Sequence, residues 1–133
     1  MVEIIPAPDH VVALRVAGTL QAEDYDSMMI PLIEDKLQEH AQIGVYIDLE
    51  QFEDMTGQAI QRDLKYGIDK FGELHRFRRI AVVSNKQWVK AVMEFAAALL
   101  PRIELQVFSS SEKDAALAWA SLTSDSTDTS RLQ

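Results

Sequence analysis

Hydrophobic positions along the chain alternate between a short period and a long one. Val2-Glu3-Ile4-Ile5 and the run Val11 to Val16 are short and rich in β-branched residues. Pro6 and Pro8-Asp9 separate them and Gly18 stops the second, so they predict two strands that pair antiparallel across a turn. From Glu23 to His40 the period lengthens. Tyr25, Met28, Met29, Leu32, Ile33 and Leu37 fall on one face of a helix. Pro31 lies inside that pattern. Lacking an N–H, it must kink the helix or start a second one.

Ile43 to Leu49 is a nearly continuous apolar run, as expected of a central strand covered on both faces. Thr56 is a good N-cap, and Ile60, Leu64, Ile68 and Phe71 mark the buried face of the helix that follows. Ile80 to Val83 reads as a second central strand. Asn85 caps a helix from Lys86 to about Leu100, which Pro101 ends. Ile103, Leu105 and Val107 alternate with Glu104 and Gln106, the pattern of a strand near a sheet edge. Ser111-Glu112-Lys113-Asp114 resembles a capping box with Asp in place of Glu, and Ala115, Leu117, Trp119 and Leu122 follow in a last helix. Thr123 to Gln133 is rich in Ser, Thr and Asp, has no period, and is expected to be disordered.

The order is β-β-α-β-α-β-α-β-α: an α/β domain over residues 1–122 with a tail at 123–133. Strands separated by helices need crossovers, so the sheet is expected to be mixed, with about five strands and helices covering it. Binding sites in such sheets lie at the carboxyl ends of the strands. Here that edge includes Glu50 to Thr56, Ser84 to Trp88, and Ser109 to Ser111.

Composition narrows the chemistry. The 133 residues carry 13 basic and 21 acidic side chains, a net charge of -8. Such a chain repels a phosphate backbone and an anionic bilayer, so neither nucleic acid nor stable membrane insertion is expected. The absence of cysteine excludes thiolate catalysis and Cys-based zinc sites. The N-terminus shows no basic region followed by an apolar core, which points to a cytoplasmic protein. His10, His40 and His75 are scattered, and neither a Gly-x-Ser-x-Gly elbow nor a glycine-rich phosphate loop occurs. No enzyme activity, cofactor or metal is expected.

Several segments together resemble a known family. They are Val11 to Gly18, Glu23-Asp24-Tyr25, Val45-Tyr46-Ile47-Asp48-Leu49, Asp54-Met55-Thr56-Gly57, Arg79 to Val83, Lys86-Gln87-Trp88 and Ala116 to Trp119. In this order they resemble the STAS domain, and more closely the SpoIIAA-like branch of stand-alone bacterial STAS proteins. STAS domains of the anti-anti-sigma type carry an Asp-Ser-Ser-Gly motif whose second Ser is phosphorylated. The resemblance places that motif on Asp54, Met55, Thr56 and Gly57, with Thr56 as the phospho-acceptor and Met55 departing from the pattern. The branch is also similar to Sec14-type lipid-binding folds, which implies an apolar ligand.

Each candidate residue has a plain structural account beside the functional one. Capping alone explains Thr56. Phosphorylation there would place charge beside Glu50, Glu53 and Asp54, which could make it a switch. Asp48, Glu50, Glu53 and Asp54 have the oxygen chemistry of a hard-cation site, but solvated loop charges are the simpler account. The basic run His75-Arg76-Phe77-Arg78-Arg79 suits the end of a helix, where cations are stabilising, and an acidic partner as the alternative. The helix from Lys86 is apolar on more than one face. Core packing accounts for most of it, but one side needs a cover: a neighbouring helix, a ligand or a second subunit. The expected function is a non-catalytic regulatory module that binds a protein partner or itself, as a homodimer. Its expected binding residues are Asp54, Met55, Gly57, Trp88, Val92, Phe95, Met28 and Met29. A small carrier of a lipid-like or other apolar ligand is the alternative.

Overall fold

The computed structural model describes residues 1–100 and 103–122. Pro101 and the tail at 123–133, for which a helix stop and disorder are expected, lie outside the described residues.

β1 (Val2–Ile4) and β2 (Val11–Val16) pair antiparallel as expected. Gly18, at φ 66°, turns the chain into β3 (Gly18–Leu20), a backbone region where a side chain would be strained. The long helix is broken into three pieces: α1 (Ala22–Asp24), a π turn (Tyr25–Met29) and α2 (Ile30–Glu39). In the π turn the N–H of Ile30 donates to the carbonyl of Tyr25. Pro31 then sits in the first turn of α2, where its missing N–H costs no helical bond. The wider turn is how this chain absorbs a proline inside a helical run.

β4 (Ile43–Asp48) leads to β5 (Phe52–Met55) and α3 (Gly57–Asp69). A 3₁₀ turn (Phe71–Arg76) precedes β6 (Phe77–Val83), so Phe77-Arg78-Arg79 belong to the strand. α4 (Gln87–Leu99), β7 (Glu104–Phe108), a 3₁₀ turn (Ser110–Glu112) and α5 (Lys113–Ser121) complete the described chain. The main sheet runs β1-β2-β4-β6-β7, antiparallel only between β1 and β2. β3 and β5 form a separate two-stranded parallel sheet that the sequence pattern did not predict.

Two helix starts differ from expectation. Asn85 is not the cap of α4. Its amide donates to Ser110 Oγ at 2.7 Å and its carbonyl accepts the Ser110 N–H at 3.0 Å, tying the ends of β6 and β7 together. The capping box before α5 is Ser109 with Glu112, two residues earlier than predicted. Arg76 behaves as a helix-end cation, but for α2. Its guanidinium donates to the carbonyls of His40 at 3.1 Å and Ala41 at 3.0 Å.

Alternation along the strands divides the core in two. Val12, Leu14, Val16, Ile43 and Val45 face α2 and the π turn. Val11, Ala13, Tyr46, Ala81 and Val83 face α5. On the α5 side Ala116 and Ala120 are fully buried. A Cβ at Gly44 would lie 2.0 Å from the carbonyl oxygen of Ala120, so only glycine admits the helix this close.

Candidate functional site

The other face is covered incompletely. α2 lies over β2, α4 lies over β7, and the central residues Ile47 and Ile80 between them are only half-buried. An apolar groove of about 270 Å³ opens there. Val16, Ile47 and Leu49 line its floor at the carboxyl ends of β2 and β4, and Phe52 and Met55 of β5 extend it. Tyr25 and Met29 of the π turn close one side. Asp63 of α3 and Trp88, Val89, Val92 and Met93 of α4 form the walls.

α3 reverses the expectation set by its sequence. Ile60, Leu64, Ile68 and Phe71, predicted to be its buried face, are exposed at 47% to 74%. Only Ala59 is buried. The side turned to the molecule is polar: Arg62 Nε donates to Asp26 at 2.6 Å, the Tyr66 hydroxyl to Glu34 at 2.7 Å, and Lys70 Nζ to Glu34 at 3.0 Å. The Tyr25 hydroxyl donates to Asp63 Oδ1 at 3.0 Å. These four links replace the apolar contact that normally seats a surface helix. They form because the π turn and α2 present Tyr25, Asp26 and Glu34 along the line of α3.

α4 carries a second stripe. Val89 is buried against the core, while Trp88, Val92, Phe95 and Leu99 are exposed at 51% to 68%. The expectation that core packing accounts for most of this helix therefore fails for these four. Trp88 packs its ring against Phe52, with centroids 5.9 Å apart. Lys86 donates to the Phe52 carbonyl and lies 5.9 Å from the same ring. The two stripes end at a second hollow of about 290 Å³, where Phe71 and Leu99 both line the wall.

The expected binding residues distribute unevenly around this site. Met29 is buried but lines the groove, Met28 packs against the core, and Met55, Trp88 and Val92 line the groove. Phe95 belongs to the exposed stripe. Asp54 and Gly57 are exposed beside the start of α3. Thr56 is its N-cap, accepting the Ala59 N–H at 3.0 Å. Asp63 and Tyr25 were not singled out as site residues by the sequence. Their link is tertiary: the Tyr25 hydroxyl reaches Asp63 from 38 residues away, and no local pattern marks such a pair.

Two carboxylates show how different the two sides are. Asp48 is 1% exposed on the α5 side. Burial would raise its pKa, but the Glu50 N–H, Lys113 and Arg15 outweigh burial and hold it below the ordinary value. The Lys113 ammonium is 3.1 Å from Asp48 and 2.7 Å from Glu50, so half of the predicted acidic cluster is engaged with cations of this chain. Asp63 has its pKa raised, because groove atoms crowd the carboxyl and the Tyr25 hydroxyl compensates only in part. Its side chain nonetheless presents area to solvent at the groove mouth. Far from the groove, His40 lies 2.7 Å from Asp9 and His10 2.7 Å from the Ser121 carbonyl. Both ring contacts are with an acid or a backbone oxygen, not with a hydroxyl nucleophile.

Comparison with known proteins places the same elements in a family. The SpoIIAA-like family matches residues 11–121. Among solved structures, the crystal structure of an uncharacterized protein of the DUF3478 family with a SpoIIAA-like fold, from Shewanella loihica PV-4, superposes with a TM-score of 0.70. It shares 27% identity over 90% of this chain and 92% of its own. No curated protein matches the sequence.

Proposed function

Because the chain belongs to the SpoIIAA-like family, we propose that it is a STAS-type regulatory module that acts by binding rather than by catalysis. The working surface in this reading is the α3–α4 side, offered to a protein partner or to a second copy of the chain. The observation that supports it is the pair of exposed apolar stripes, Ile60-Leu64-Ile68-Phe71 and Trp88-Val92-Phe95-Leu99. Apolar surface grouped in this way marks interaction sites in soluble proteins. No helix among the described residues is long and apolar enough to cross a membrane. A cytoplasmic setting belongs to the same reading.

Sedimentation equilibrium tests self-association. The wild type is expected to form dimers as concentration rises, and the double variant Leu64→Lys, Val92→Lys to remain monomeric with an unchanged circular dichroism spectrum. A wild type that stays monomeric at high concentration removes the homodimer.

Thr56 is the proposed switch within this surface. A phosphate on its hydroxyl would replace the cap of α3 with a dianion beside Asp54, at the helix end that tolerates negative charge. Thr56→Glu is then expected to shift the association constant while the fold persists. Equal association by both proteins would remove that role. A second reading, a carrier of an apolar ligand, is favoured by the groove itself, whose floor and α4 wall are apolar.

A further inference from the structure

Asp63 is the single charged residue among those lining the groove. Five other acids of this chain are met by cations: Glu34 by Lys70, Asp26 by Arg62, Asp9 by Lys36, and Asp48 and Glu50 by Lys113. Among the described residues no cation lies within ion-pair distance of Asp63, and its hydrogen-bond donor is the neutral Tyr25 hydroxyl. The adjacent Arg62 is turned away to Asp26, and Lys86, just before α4, is held by the Phe52 carbonyl. A carboxylate at the mouth of an apolar groove, open to solvent on one side and served by one neutral donor, is within reach of an incoming cation and gains a charge-assisted bond from it.

We propose that the groove binds a single-chain aliphatic amine, its tail along Trp88, Val92 and Met93 and its ammonium on Asp63. Charge complementarity selects the head group. The size of the groove selects the tail: about 270 Å³ is near the lower end of small-molecule sites (about 300–1,000 Å³), which suits one chain rather than two. A protonated amine supplies the donors that the carboxylate lacks, whereas an alcohol supplies one and a fatty carboxylate repels it. This inference rests on the groove being a binding site, the second reading above.

The two tryptophans allow a direct test. Trp88 is in the groove, and Trp119 packs against Phe108 on the α5 side. In a Trp119→Phe background, intrinsic fluorescence therefore reports the groove alone. Decylamine, decanol and decanoate are titrated at pH 7, the two ionic probes below their micelle thresholds and decanol below its solubility limit. Decylamine is expected to bind about tenfold more tightly than decanol, and decanoate most weakly, as a charge-assisted bond in place of a neutral one predicts. Asp63→Asn is expected to remove the advantage of the amine and leave decanol unchanged. Asp35→Asn deletes the same charge from an exposed position on α2 and controls for the chain's overall acidity. It is expected to change nothing.

Equal binding of amine and alcohol, or an amine preference that survives Asp63→Asn or falls equally with Asp35→Asn, overturns the head-group assignment and leaves groove binding standing. If none of the three probes perturbs Trp88, the ligand-binding reading of the groove falls with it.

Discussion

The two faces of the sheet are built from the same strands but finished differently. On the α5 side the helix is rich in alanine, comes into contact with Gly44 and leaves Ala116 and Ala120 without exposed surface. Arg79 is buried there, its Nε 2.6 Å from Glu104 and its guanidinium over the Trp119 ring. The α3–α4 side has large aliphatic and aromatic residues left in solvent and a half-covered floor. Close packing on one face secures the sheet, so incomplete cover on the other can persist without loss of the fold. Carboxylate electrostatics follow the same division. Asp48 is a paired structural charge, and Asp63 is an underpaired one beside a cavity.

The sharpest way to break this contrast is to fill the contact on the sealed face. Gly44→Val is expected to cost about 3 kcal/mol or more, because the obstacle is a backbone carbonyl that cannot rotate away. Urea denaturation measures it, and a loss below about 1 kcal/mol would mean that α5 is not tightly seated.

Asp48→Ala comes next. It leaves Arg15 and Lys113 without their shared partner, but both cations are partly solvated. The expected loss is therefore about 2 kcal/mol, below the cost of breaking a fully buried pair. The pH dependence has a definite sign. With the folded pKa of Asp48 below 3.8, its contribution is complete above that value and lost as pH falls through the folded pKa. The wild type and Asp48→Ala should therefore converge in stability only in strong acid.

Asp63→Asn is expected to act in the opposite direction and more weakly. The folded pKa of Asp63 lies above 3.8, so its ionisation destabilises the fold as pH rises through that folded value. The variant should melt slightly higher than wild type at pH 7, with the difference shrinking as both approach pH 3. A lower melting temperature at pH 7 would show that the Tyr25 bond outweighs the crowding.

Val92→Lys should have the smallest effect on stability, within about 0.5 kcal/mol, because the side chain is already half in solvent. A loss above about 2 kcal/mol would place Val92 in a closed core and remove the open face.

Much of the architecture was readable in the residues. The two hairpin strands, the parallel strands at Ile43 and Ile80, and the alternating edge strand at Ile103 all follow from period and punctuation. The groove also opens at strand carboxyl ends, where a crossover topology leaves its openings. Thr56 was legible as a cap, because the capping bond is local. The β3–β5 pair was not, since three- and four-residue strands carry no period of their own.

The misreading of α3 is more instructive. Period identified Ile60, Leu64, Ile68 and Phe71 as one face and could say nothing about what that face meets. Arg62, Tyr66 and Lys70 look like a solvated side in sequence, and become the inner side only because Asp26 and Glu34 happen to lie opposite.

The order of elements, the mixed sheet and the amphipathic character of each helix were therefore set by the chain's local chemistry, which acts over a few residues. Which side of α3 faces in, whether the sheet is sealed or open, and which aspartate is paired depend on groups tens of residues apart. Those outcomes are decided by competition among contacts that exist only once the strands have assembled.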